Sequence, residues 1–368
     1  MKKILIIRTS LHGGGAERVI VELSDNLILQ GYEVDIFLWE NKIDYALNKD
    51  INIILSQMPS LYRKINNFSL KLFGNLSYLF LSPLFIIDLY KNIKINEYDK
   101  IYIHSLISIL QFTYLRNKRA YNVFHSFKSE LMLKNRNFIS SLKNKLMIYI
   151  AGNLKKNIAV SSGIAKDLEK NFGITNVITI YNPFNIDLIL KLSNKNEHDL
   201  KKYGKFILNI GRLDKIKNQK EIIIAFSRCT NIYDTLIILG DGSEKNNLKE
   251  LVNDLNLENK VFLLGFQNNP YEFIKKAAVV VSCSIIEGFG NTLVESLIIK
   301  TPVISSNCPC GPKEIMTGKL SNYLYKINHP DELYNLLVNL NINKYPFSSF
   351  DKSIFDTNLI SKKYIDIQ

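Results

Sequence analysis

Cysteine is scarce. The 368 residues hold four, Cys229, Cys283, Cys308 and Cys310, all in the second half. So few thiols exclude a disulfide-stapled fold, and with no signal peptide before the apolar N-terminal strand a reducing cytoplasm is expected. Cys308-Pro309-Cys310 has no nearby Cys or His to complete a four-ligand set, so no metal is expected there. Long apolar runs are missing as well. The greasiest stretch, 76–90, is expected to be interrupted at Pro83 and Asp88, short of the ~20 residues that a membrane span needs. It reads as a helix buried in the first domain or as one lying on a membrane surface. Acidic side chains are the minority, 34 against 47 basic, for a formal charge of +13. A polyanion partner is the first inference. Much of the excess, however, is lysine set among asparagine and isoleucine, the bias of an A/T-rich genome. The meaningful part is the run from Lys100 to Lys156, opposed only by Glu130. Nucleic-acid binding would need aromatics interleaved with basic residues on an exposed face, and no such face stands out.

The length suits two domains, each with its own core. The chain is organised around 282–297, where an apolar strand over 277–281 ends in a glycine-broken turn that opens a helix. Thr292 is the expected helix cap. Gly288 and Gly290 let backbone approach a ligand, and the amides of Gly290, Asn291 and Thr292 sit at a helix start, where phosphate is favoured. Glu287 and Glu295 bracket that anion site and can accept hydrogen bonds from hydroxyls at either end of a ligand. The implied ligand is polyol, phosphate, polyol.

The chain begins with a strand over 3–8, a loop His12-Gly13-Gly14-Gly15, and an amphipathic helix through Leu29. This is a Rossmann-like opening with amides free to meet phosphate. The loop is neither G-x-G-x-x-G nor a Walker loop, which weakens a dehydrogenase or kinase reading. A strand over 120–124 ends at His125, which therefore faces the ligand crevice of an α/β sheet. His104 is expected to be packing, His12 to lie near ligand, and His198 and His329 to be surface residues. A polar run without periodicity, 193–205, serves as linker. The expected domains are 1–185 and 186–352, with a final helix over about 353–367 packing back on the first. In the second domain a strand over 206–210 leads to Gly211-Arg212-Leu213-Asp214-Lys215-Ile216-Lys217. Two cations five residues apart could clamp a diphosphate, arginine as a fork and lysine as a point charge.

Together these landmarks resemble the retaining nucleotide-sugar glycosyltransferases of glycosyltransferase family 4, also called group 1. The Glu287-x7-Glu295 spacing around Gly288-Phe289-Gly290 is the specific part, and the likeness spans nearly the whole chain. It implies an α/β GT-B fold, two Rossmann-like doubly wound domains facing a central cleft. It also implies catalytic roles for His125, Arg212, Lys217 and Glu287. Glu287 would bind donor-sugar hydroxyls, Glu295 the ribose, and Arg212 and Lys217 the diphosphate. Gly14, Gly15, Gly211 and the backbone of Gly288, Phe289, Gly290, Asn291 and Thr292 would complete the phosphate site, with the base near Phe266. Cys310 departs from the small residue expected in its loop. No metal or cofactor is implied beyond a nucleotide-diphosphate sugar, UDP by family frequency. The acceptor would be a growing lipid-linked glycan, placing the enzyme in the cytoplasm at the inner, anionic membrane face. Two other readings stay open: a sugar-nucleotide epimerase on the same fold, and a non-catalytic nucleotide-sugar binding protein. The oligomeric state is not legible.

Overall fold

The computed structural model describes residues 2–58, 60–133 and 137–367. Residues up to Pro183 and from Thr357 onward form one compact unit, and Phe184–Asp356 the other.

Seven parallel strands make the first sheet: β1 Lys3–Arg8, β2 Glu33–Leu38, β3 Ile51–Leu55, β4 Lys100–His104, β5 Ala120–Phe124, β6 Lys156–Ala159 and β7 Val177–Thr179. Their order is β3-β2-β1-β4-β5-β6-β7, so the winding reverses between β1 and β4. In an open α/β sheet that reversal leaves a crevice at the carboxyl ends of the strands. The inner strands are continuous apolar runs because helices cover both faces. β3 was not expected from the sequence; its partial exposure as an edge strand weakens the apolar signal.

The greasy stretch forms two helices, Ser60–Phe73 and Leu76–Asn92, parted at Gly74 with φ 57°. Pro83 lies inside the second helix and does not end it, so the stretch is helical as expected, with Pro83 and Asp88 breaking only its apolar run. That helix is held by burial: Tyr78, Leu79, Phe85 and Leu89 are in the core, and buried Asp88 accepts a 2.7 Å hydrogen bond from Ser56. The last helix, Thr357–Asp366, belongs to this unit through Tyr364, whose ring meets that of Tyr102 edge-on at 5.1 Å.

The second sheet has β8 Phe206–Ile210, β9 Thr235–Leu239, β10 Val261–Gly265, β11 Val279–Ser282, β12 Val303–Ser306 and β13 Leu324–Tyr325, in the order β10-β9-β8-β11-β12-β13. All pairs are parallel, and the reversal falls between β8 and β11. The changeovers between units sit slightly off the expected ones, after Pro183 and after Asp356. The reason is local: the Phe184 amide donates to the Phe355 carbonyl at 2.9 Å, and both rings pack within the second unit.

Candidate active site

In the second unit, loops from β8, β11 and β12 meet at the winding reversal. The Ile285 amide donates to the Ile216 carbonyl at 2.7 Å and ties the first two loops together. Across that tie the Lys217 ammonium pairs with Glu287, each largely buried. Ser284 donates to the same Glu287 oxygen at 2.6 Å, and Ser306 on β12 donates to the Ser284 carbonyl. Three strand ends thus converge on one carboxylate. Arg212 is mostly exposed and pairs with Asp214 at 2.7 Å. Asp214 also accepts from the amides of Ile216 and Lys217, at 3.1 and 3.0 Å, which sets the course of the loop. Sequence reasoning missed Asp214; its place four residues before Asn218 in a polar loop was the available signal.

The helix Asn291–Ile299 starts with Gly290 at the cap position, φ 100°, and not with Thr292 as expected. The Thr292 carbonyl instead accepts from Ser296. Glu295 is 5% exposed. Phe289 is a packing residue: its ring lies 5.6 Å from Phe355 and 6.3 Å from Phe184, so only its backbone is left for a ligand. Gly311 has φ 85°, and a Cβ there would lie 1.8 Å from the Phe289 carbonyl, so no other residue fits this close approach. Cys308 is buried beside the ion pair; burial first, then Glu287, push its thiol up to about 12, so it stays protonated. Phe266, beyond β10, is 63% exposed. Gly211 follows β8, where its amide donates to the Leu239 carbonyl.

In the first unit Arg8 ends β1, His104 ends β4 and His125 follows β5. His104 Nδ1 and His125 Nε2 are 2.8 Å apart, with the rings stacked at 5.1 Å. Burial, then the cations Arg8 and Lys128, push the pKa of His125 down to about 3. Burial lowers His104 as well. Both rings are therefore neutral. His104 Nε2 is buried without a partner. A bare lone pair there costs less than a bare N–H, so we assign the His104 proton to Nδ1, donating to His125. His125 then carries its own proton on Nδ1. His104 is thus more than packing. Burial also pushes Lys128 down to about 8, while Asp167 accepts from its amide at 2.8 Å and from that of Ser129 at 3.1 Å.

The glycine loop departs from expectation. Its amides are engaged: Gly13 donates to Asp44 at 2.9 Å and Gly14 to the Tyr45 hydroxyl at 3.1 Å. Tyr45 donates in turn to the Gly14 carbonyl, and His12 pairs with Asp44. Phosphate could reach Gly14 only by displacing Tyr45. Gly15 begins the helix Gly15–Leu29. His198 and His329 are both exposed, as expected, and His198 bonds the buried Glu272 at 3.0 Å. The basic run is not one patch. Lys155 is buried, donating to the carbonyls of Phe112 and Thr113, Lys128 is buried, and Lys100 and Lys156 lie over the Tyr121 ring. Lys134 and Arg136 of that run lie outside the described residues.

Two family descriptions match, "Glycosyltransferase Family 4" over residues 13–188 and "Glycosyl transferases group 1" over 191–343. Along its length the chain is 30% identical over 341 residues to the N-acetylgalactosamine-N,N'-diacetylbacillosaminyl-diphospho-undecaprenol 4-alpha-N-acetylgalactosaminyltransferase of Campylobacter jejuni, covering 91% of this chain and 88% of the relative. The chain belongs to glycosyltransferase family 4. This glycosyltransferase is also 27% identical over 176 residues to the lipopolysaccharide 1,6-galactosyltransferase of Salmonella typhimurium, 46% of this chain and 47% of that protein. Its fold, two parallel-sheet α/β domains of the GT-B class, matches Anabaena HepE in complex with UDP and glucose, with TM-score 0.73 and 21% identity over 100% of this chain and 99% of that one. Staphylococcus aureus TarM superposes with TM-score 0.74 at 17% identity, over 100% of this chain and 97% of that one.

Proposed function

We propose that this glycosyltransferase moves a hexosyl or N-acetylhexosaminyl group from a nucleotide-diphosphate sugar, foremost a UDP-sugar, to a growing lipid-linked surface glycan of the O-antigen, capsule or lipopolysaccharide kind, with retention at the anomeric carbon. The observation that carries the donor half is the Lys217–Glu287 pair at the winding reversal of the second sheet. A diphosphate entering there takes Lys217 as its counter-charge and frees Glu287 to accept hydrogen bonds from sugar hydroxyls, while Arg212 swings from Asp214 to the second phosphate. Glu295 serves the ribose. Charge that builds on the leaving phosphate meets cations already in place, the preorganised stabilisation that lowers such barriers most. The acceptor hydroxyl attacks from the face the diphosphate leaves, and a phosphate oxygen takes its proton. Neutral His125 contributes a hydrogen bond and no charge. No metal ion is required in this scheme, since the two cations fill that role. The named acceptor of the Campylobacter relative, a diphospho-undecaprenol, supports the lipid-linked class.

Transfer assays with a panel of nucleotide sugars and lipid-diphosphate acceptors, read by NMR of the product's anomeric configuration, test the proposal. Alanine at Lys217 or Arg212 should slow turnover by ~100-fold or more, as removal of a preorganised donor does. Turnover should persist in EDTA. Near-normal rates in both alanine variants, or an inverted product, would overturn the mechanism. Peripheral attachment at the inner membrane face completes the proposal: among the described residues no helix is long and apolar enough to cross a membrane, while the helix Phe138–Asn153 exposes Phe138, Ile139, Leu142 and Leu146.

A further inference from the structure

The loop that carries Arg212 and Lys217 joins β8 to the helix Gln219–Ser227, and two buried side chains in the first turn of that helix fasten it. Gln219, 2% exposed, donates from Nε2 to the Arg212 carbonyl at 3.1 Å. Glu221, 3% exposed, accepts at Oε2 from Asn218 Nδ2 at 2.9 Å and from the Tyr325 hydroxyl at 3.3 Å. Asn218 Nδ2 also donates to Asn328 Oδ1 at 3.2 Å, in the segment after β13. One end of the loop is thus held at Arg212 and the other at Asn218, the neighbour of Lys217.

These attachments come at a cost to the fold. A carboxyl and a carboxamide buried at a helix start give up hydration that leucines would not. Gln219 Oε1 has no hydrogen-bond partner among the described residues. Asn218 has φ 51°, in the left-handed region that few side chains enter. What the same groups supply is a fixed course for the loop. Asp214 holds its middle through the amides of Ile216 and Lys217. The lysine stem runs back over the loop's start, since a Cβ on Gly211 would lie 3.5 Å from Lys217 Cδ. Cations whose backbone is already in place need no reorganisation when a diphosphate arrives.

We propose that Gln219 and Glu221 are positioning residues of the donor site: without touching substrate, they hold the backbone of Arg212 and Lys217 where the two cations meet a diphosphate. The role rests on the donor reading given above; the tethers themselves do not.

The full-length protein is titrated calorimetrically with UDP, GDP and dTDP, and the diphosphate that binds wild type is carried to the variants. Glu221→Leu removes the acceptor for Asn218, and Gln219→Leu the donor to Arg212. Each should weaken binding about tenfold, a loss of ~1.4 kcal/mol. In transfer assays each should raise the donor KM by the same factor and leave the acceptor KM unchanged. Burial pushes the Glu221 carboxyl up to about 7, so near neutral pH a carboxamide is a close stand-in, and Glu221→Gln should bind within about twofold of wild type. Asn218→Gly guards against a folding defect in the buried variants. Glycine takes φ 51° without strain and loses only the tether, so this variant should match Glu221→Leu. Wild-type affinity in Asn218→Gly and Gln219→Leu, while Lys217→Ala loses binding, overturns the proposal and leaves the donor reading intact. So does a Glu221→Gln variant as weak as Glu221→Leu, or an acceptor KM that rises with the donor KM, since either marks a general packing defect. If no diphosphate binds wild type, or Lys217→Ala binds it normally, the donor reading fails and the positioning role falls with it.

Discussion

Burial beside Arg8 and Lys128 keeps His125 uncharged until about pH 3. Its imidazole shifts in NMR should therefore stay flat from pH 5 to 8, and kcat/KM should show no step near 6.5 that vanishes in His125→Asn. Such a step would contradict the neutral dyad. The unfolded chain takes a proton at His125 that the folded one refuses, so this residue removes stability as pH falls from about 6.5 toward 3. Glu221 titrates in the opposite sense. Burial raises its carboxyl from 4.5 to about 7, against the pull of Tyr325 and Asn218. Below the unfolded pKa both states are protonated; between 4.5 and 7 only the unfolded state ionises, so stability is lost as pH rises through that window. About 2–3 kcal/mol of decline should disappear in Glu221→Gln when urea melts at pH 5 and pH 8 are compared. An equal decline in the variant would refute it. Single residues also mark where the sequence is mute. Arg212, Lys217 and Glu287 are legible as charges on loops, but their counter-ions are not. The partners of Gly13 and Gly14 are Asp44 and Tyr45, 31 residues on, and no local pattern announces such pairings.

At the scale of elements, strands buried on both faces were legible because their apolar runs admit no other reading, and the helix opening at Asn291 because a glycine turn precedes it. Edge strand β3 was not, since exposure blurs it, and neither was the break at Gly74 that divides the greasy stretch into two helices. The helix Phe138–Asn153 is a third case, with Phe138, Ile139, Leu142, Leu146 and Tyr149 exposed on one side and Met147, Ile148 and Ala151 buried on the other. Two apolar faces, one of them bare, suit an interfacial helix. Leu142→Glu with Leu146→Glu should reduce sedimentation with vesicles containing anionic lipid by about tenfold, since burying two leucines is worth more than the ~1.4 kcal/mol this requires. Transfer to a water-soluble acceptor should not change. Undiminished vesicle binding would move the membrane contact elsewhere.

For the whole molecule, the order in which the chain visits its two units decides how they depend on each other. The chain leaves the first unit after Pro183 and returns at Thr357, so that unit is completed only by the final helix. Ile360 and Tyr364 are fully buried there, Tyr102 donates to the Tyr364 carbonyl, and Asn26 donates to Asn358 at 2.9 Å. The residues proposed to bind the donor, Arg212, Lys217, Glu287 and Glu295, all lie within the uninterrupted second unit. A chain ending at Asp356 should therefore lose several kcal/mol from the first unit, the scale of deleting two or more large buried side chains. Calorimetry should show its transition lowered or lost. The second unit should still be raised in melting temperature by UDP, because a ligand stabilises the fold that binds it. If truncation abolished the UDP-induced shift as well, the donor site would depend on the first unit, and the assignment of that site to the β8, β11 and β12 loops alone would fail.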